Sequence, residues 1–128
     1  MDISFPLGFG KLIAFVATRD PARAKTFYRD TLGLKLTAED EFALVFDVYG
    51  TMLRITTVRQ IAPAAYTVLG WHVADIETVA RRLIEEGVPL ERYSELPQND
   101  LGIWTTPNGA KVAWFKDPDG NVLSITQF

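Results

Sequence analysis

The stretch ALVFDVYGTMLRIT at residues 43–56 returns at residues 113–126 as AWFKDPDGNVLSIT, a constant offset of 70 positions. Six of the fourteen aligned positions are identical: Ala43/Ala113, Asp47/Asp117, Gly50/Gly120, Leu53/Leu123, Ile55/Ile125 and Thr56/Thr126. Each copy reads as strand, Asp/Gly turn, strand, so one hairpin occurs twice. An internal repeat fixes the architecture before any local reading, because each copy has to be one supersecondary unit.

Working outward, the segment before each hairpin repeats as well. Lys11 to Thr18 is rich in apolar and β-branched residues and runs into Asp20-Pro21, an N-cap followed by proline at the first helical position. Ala24, Phe27, Tyr28 and Leu32 then recur at helical spacing up to Gly33, which suits a C-terminal cap. In the second half Tyr66 to Val73 is the apolar run, Asp75 the cap, and Ile76, Val79, Ala80, Leu83 and Ile84 the apolar helix face before Gly87. The two caps are 55 residues apart and the two glycines 54, so a residue or so has been lost between copies.

Each half therefore reads strand, helix, strand, strand, strand. The second half uses Leu90 to Tyr93 and Gly102 to Trp104 before its hairpin, with Asn108-Gly109 as the tight turn from Trp104 to Lys111. The expected class is α+β, one domain over residues 1–128 made of two βαβββ modules, about 11–57 and about 66–128, curled around a small-molecule cleft.

Composition narrows the function. A net charge of −3 gives no basic field for phosphate backbones, so nucleic acid is not an expected partner. The absence of cysteine removes disulfides, thiolate nucleophiles and thiolate metal sites. No run of about 18 apolar residues suggests a membrane span, and the segment from Met1 to Pro6 lacks the features of a signal peptide. A cytoplasmic location is expected. The apolar leader Ile3 to Phe9 carries no readable role.

FYRDTLGL at residues 27–34 and WFKDPDGN at residues 114–121 resemble the signatures of the vicinal oxygen chelate superfamily, which includes glyoxalase I, extradiol dioxygenases and the fosfomycin- and bleomycin-resistance proteins. The likeness runs from about Lys11 to Phe128. It implies paired modules whose curved sheets make a cup, with helices outside and ligand inside. In the metal-dependent members four strands each send one ligand, usually histidine or glutamate, into the cup. Carried over by motif spacing, those places fall at Ile13, Arg54, Leu69 and Ser124, and none of the four is a metal-binding type. With a single histidine in the chain, no metal and no cofactor are expected.

Side chains two residues apart on a strand share a face, which adds Phe15, Met52, Thr56, Trp71, Val122 and Thr126 to the cup. Comparison with the resistance proteins adds Leu44, Val112 and Trp114, and Trp104 is placed nearby by its position before the tight turn. The ligand-binding set is thus Ile13, Phe15, Met52, Arg54, Leu69, Trp71, Trp104, Trp114 and Ser124; no catalytic residue is assigned. Arg54 stands out, because a guanidinium in an apolar cup needs an anion. The anion is a ligand carboxylate, phosphate or enolate, or else Arg54 pairs with an acid such as Glu91 or reaches solvent. His72, next to Trp71, is expected on the helix side, Asp117 to Gly120 as a turn, and Arg81-Arg82 and Glu85-Glu86 on a solvated helix face.

The expected function is metal-independent binding of a small, partly aromatic, anionic molecule, as in bleomycin resistance, for sequestration or sensing. The alternatives are a glyoxalase-like lyase or isomerase, a transferase or a dioxygenase-type enzyme with an atypical site, and a protein-interaction module whose cup is filled by its own side chains. Unpaired sheet edges suggest a homodimer.

Overall fold

In the computed structural model, which describes residues 6–128, the chain forms two four-stranded sheets of the same plan. The first is built from β1 (Ile13–Thr18), β2 (Lys35–Glu39), β3 (Ala43–Val48) and β4 (Thr51–Thr57) in the order β1-β4-β3-β2. The second contains β5 (Thr67–His72), β6 (Trp104–Thr105), β7 (Lys111–Lys116) and β8 (Val122–Gln127) in the order β5-β8-β7-β6. In each sheet the first strand pairs parallel to the last and the hairpins are antiparallel, as two βαβββ modules require. Of the apolar leader, Ile3 to Phe5 lie outside the described residues, and Pro6–Phe9 makes one 3-10 turn.

The helices begin where the sequence says. Asp20 caps α1 (Pro21–Lys25) by accepting from the Arg23 N–H, with Pro21 at the start, and Asp75 caps α2 (Ile76–Glu85) by accepting from the Thr78 N–H. Helix α1 widens into a π-type segment at Thr26–Thr31, closed by a bond from Leu32 N to Phe27 O. Gly33 and Gly87 then take φ of +75° and +82°, the left-handed stop that a Cβ would strain. Ile84, expected on the apolar face of α2, is exposed instead.

Both helices cover the same side of the sheets, and one continuous core lies beneath them. Val16, Leu44, Phe46, Leu53 and Ile55 of the first sheet, with Ala113, Phe115, Leu123 and Ile125 of the second, pack against Ala24, Phe27, Tyr28, Ile76, Ala80 and Leu83. Fully burying one such large side chain is worth about 1.5–3 kcal/mol, so this side holds the fold. On the opposite, concave side Ile13, Phe15 and Met52 of the first sheet are exposed, while Val122 and Ser124 of the second are buried.

The modules lie side by side, β1 touching β5, and a polar clasp joins them. The Thr18 hydroxyl donates to Asp119 Oδ2 at 2.5 Å, the Arg19 N–H to Asp119 Oδ1 at 2.9 Å, and the Asn121 amide to the Ala17 carbonyl at 2.9 Å. Beneath them the Tyr28 phenol donates to Asp117 Oδ2 at 2.7 Å. The DPDG segment is the expected turn, with Gly120 at φ +87°, but its acids also tie module to module.

Leu90 to Tyr93 is not a strand, and β6 is confined to Trp104–Thr105, with Gly102 outside it. Side chains satisfy the backbone there in place of a ladder. Gln98 accepts from Tyr93 N at 2.7 Å and donates to the carbonyls of Glu91 and Gly102 at 2.9 and 2.8 Å. Arg92 donates to the carbonyls of Asn99 and Asp100. The Asn108-Gly109 turn forms as expected, with Gly109 at φ +90°.

Candidate functional site

On the first sheet the predicted register holds. Parallel pairing sets Ile13 beside Met52 and Phe15 beside Arg54, while antiparallel pairing sets Val45 across from Arg54. These residues alternate with Val16, Leu53 and Ile55, which are in the core, so they occupy the concave face. The face is apolar and uncovered: Phe15 is 61% exposed, Ile13 46% and Met52 41%. Leu44 departs from expectation, because it pairs with Ile55 and is buried among core residues on the helix side.

Arg54 sits half-buried in this apolar ground and makes no hydrogen bond or ion pair with any described residue. Glu91, the acid considered for it, is 3.5 Å from Lys116 instead. The influence of Arg54 reaches Asp40, whose carboxyl is held below its ordinary range first by the N–H groups of Phe42 and Ala43 and further by the Arg54 charge. A cavity of about 350 Å³ opens at one end of the same face, between Ile13, Met52, Lys11 and Asp47.

On the second sheet the β5 register is reversed. Leu69 aligns with Leu123 and Trp71 with Ile125, both of which belong to the core, so Leu69 and Trp71 lie on the helix side. Trp71 packs nearly parallel to Phe115 there, with ring centres 6.3 Å apart. Gly70 and His72 take the concave face, aligned with Ser124 and Thr126, so His72 does not turn to the helices as expected. A one-residue slip in the expected register accounts for this, since it sends every side chain to the other face; the pairing irregularity between Thr67 and Leu69 lies upstream of these residues.

The slip was legible in the repeat: the cap-to-cap offset of 55 maps Val16 onto Trp71 and Ile13 onto Val68, not onto Leu69. Gly70 is dictated by a close approach, for a Cβ there would lie 2.7 Å from Ser124 Oγ. Ser124 is buried on the concave side beside Gly70, as its repeat partner Arg54 is beside Phe15.

The rest of this face is aromatic. Val112 and Trp114 share the register of Thr126 and Ser124, and Trp104 pairs across from Val112. Trp104 stacks on Trp114 at 6.1 Å and 25°, and Tyr93 meets Trp114 edge-on at 5.3 Å and 88°. The Gln98-bonded loop delivers Tyr93 to this ladder, from the segment Leu90 to Tyr93 that the sequence reads as a strand. Burial, then the Glu91 charge, raises the Tyr93 phenol above its ordinary value.

The donor chemistry does not suit a transition metal. The concave positions offer isoleucine, arginine, glycine and serine, and the chain's one imidazole, His72, packs against the Phe128 ring at 5.2 Å. Among the described residues no three His, Cys, Asp or Glu side chains are grouped to hold an ion. No helix of the described residues is long and apolar enough to cross a membrane.

Residues 11–125 match the model of the Glyoxalase/Bleomycin resistance protein/Dioxygenase superfamily. No curated protein matches the chain significantly in sequence. Among solved structures, a superfamily member from Sphaerobacter thermophilus DSM 20745 superposes with a TM-score of 0.72 at 20% identity, over 94% of this chain and 99% of that one. TnmS3, an antibiotic binding protein from Streptomyces sp. CB03234, gives 0.68 at 26% identity over 92% and 94%. A lactoylglutathione lyase from Agrobacterium tumefaciens gives 0.69 at 20% identity, again over 92% and 94%.

Proposed function

The chain belongs to the glyoxalase/bleomycin resistance protein/dioxygenase superfamily, and on that premise we propose that it binds a small, partly aromatic, anionic molecule on its concave face without a metal. The observation that carries this reading is Arg54, a half-buried guanidinium flanked by Phe15 and Val45 with no acceptor among the described residues. A carboxylate or phosphate matches its planar fork with two parallel hydrogen bonds, each stronger than a neutral one. The Trp104–Trp114–Tyr93 ladder supplies flat apolar surface for an aromatic ring at little entropic cost.

The exposed Ile13, Phe15 and Met52 are too contiguous for a face left in water, and a second copy of the chain is their proposed cover. The bound species then lies between the cation of one sheet and the aromatic ladder of another. The likeness to TnmS3, an antibiotic binding protein, favours sequestration over turnover. The same reading puts the cysteine-free protein in the cytoplasm.

The test is tryptophan fluorescence titrated with aromatic carboxylates and their neutral amides, on protein verified metal-free by elemental analysis. Saturable quenching by the acids, weakened about tenfold or more in Arg54→Ala, is expected. Equal affinity in the variant, or binding that appears only after a divalent metal is restored, would sink the proposal. Sedimentation at micromolar concentration should give a dimer.

A further inference from the structure

A second cavity lies on the helix side, at the seam between the modules, where nothing in the concave-face reading reaches it. It is an open groove of about 390 Å³, within the size range of small-molecule pockets. Its floor is Trp71 with Phe115, near-parallel rings of the second sheet, and its walls are Leu32 and Leu34 from the end of the first module's helix and Val79 from α2. Trp71 is half-buried, although its neighbours Phe115 and Ile125 are fully covered, because the groove leaves the indole accessible.

At the mouth stand Arg82 and Glu86, one helical turn apart, joined by Arg82 Nε to Glu86 Oε1 at 3.1 Å. That bond leaves the terminal guanidinium nitrogens free of described partners and leaves Glu86 Oε2 free to accept. The pair is net neutral, so a carboxylate arriving at Arg82 also meets the Glu86 charge. A group that accepts from one and donates to the other suits both.

We propose that this groove is a second ligand site, taking a neutral planar aromatic molecule with a carboxamide-like end. The ring lies along Trp71 between Leu34 and Val79, its carbonyl accepts from Arg82, and its N–H donates to Glu86. Both modules contribute walls, so occupancy ties module to module and raises thermal stability by mass action.

The probe is 2-naphthamide, with 2-naphthoate as the charged control, added to the full chain with methyl-labelled leucine, isoleucine and valine. Saturable shifts at Leu32, Leu34 and Val79 methyls are expected, with a rise in Tm and binding at least severalfold tighter than the naphthoate. Filling the groove with Val79→Trp should abolish the shifts. If that variant does not fold, Arg82→Ala, on an exposed position, should weaken the amide roughly tenfold. No saturable binding into the millimolar range, shifts centred on Ile13 rather than the groove, or affinity indifferent to Arg82 would each overturn the assignment.

Discussion

Replacing Tyr28 by phenylalanine removes one oxygen from the clasp between modules and leaves the ring in place. Tyr28 is 0% exposed, and its phenol donates to Asp117 Oδ2 at 2.7 Å. Asp117 keeps three other donors, the N–H groups of Asp119 and Asn121 at 2.9 Å each and the Asn121 amide at 2.8 Å, so the carboxylate stays partnered. The loss is then one buried hydrogen bond to a carboxylate, about 1.5–3 kcal/mol. For a chain of this length that is a fall in Tm of roughly 5–12 °C.

The same phenol predicts a pH dependence. Burial first, then the Asp117 charge and hydrogen bond, raise its pKa far above the ordinary value of 10.0. With the folded value above the unfolded one, the Tyr28 contribution is full below pH ~10 and declines as the pH rises toward the folded value. By pH 11 ionisation in the unfolded chain has cost the wild type about 1.4 kcal/mol that the phenylalanine variant does not lose. Urea denaturation followed by circular dichroism at pH 7 and pH 11 measures both. A gap under about 0.5 kcal/mol at pH 7, or one that does not narrow at pH 11, would refute the clasp as a source of stability.

Gly70→Ala places a Cβ 2.7 Å from Ser124 Oγ and should cost about 1–3 kcal/mol, most of which Ser124→Ala should restore; additive costs in the double variant would contradict the close approach. Gln98→Ala strips partners from Tyr93 N and from the carbonyls of Glu91 and Gly102, for a loss of about 2–4 kcal/mol. Its near-ultraviolet dichroism should weaken as Tyr93 leaves Trp114, and an unchanged aromatic spectrum would mean that the loop is held by something else.

The duplicated hairpin was enough to read the fold, because Asp47/Asp117, Gly50/Gly120 and the apolar Leu53/Leu123 and Ile55/Ile125 pairs do the same local work in both copies. Facing was harder. In β1 the bulky Ile13 and Phe15 point outward and smaller Ala14 and Val16 inward, so size alone misassigns the core side. In β5 the bulky Leu69 and Trp71 point inward, and only the odd cap offset distinguishes the two cases. The loop from Glu91 to Gly102 reads as strand at both ends in the sequence, since a glutamine bonding three backbone groups leaves no periodicity of its own to override the apolar pattern.

Where the copies differ is where each acquired its own task. Asp47 is exposed at an ordinary turn, whereas Asp117 is buried and joined to Tyr28 across the seam, so the second hairpin secures the modules and the first does not. Arg54 and Ser124 diverge in the opposite sense: the first module keeps a charge and uncovered apolar surface, the second a buried hydroxyl under an aromatic ladder. The clasp fixes the two sheets side by side, through Ala17, Thr18 and Arg19 of the first module and Asp119 and Asn121 of the second. Loosening the clasp with Tyr28→Phe should weaken folding well before it weakens binding.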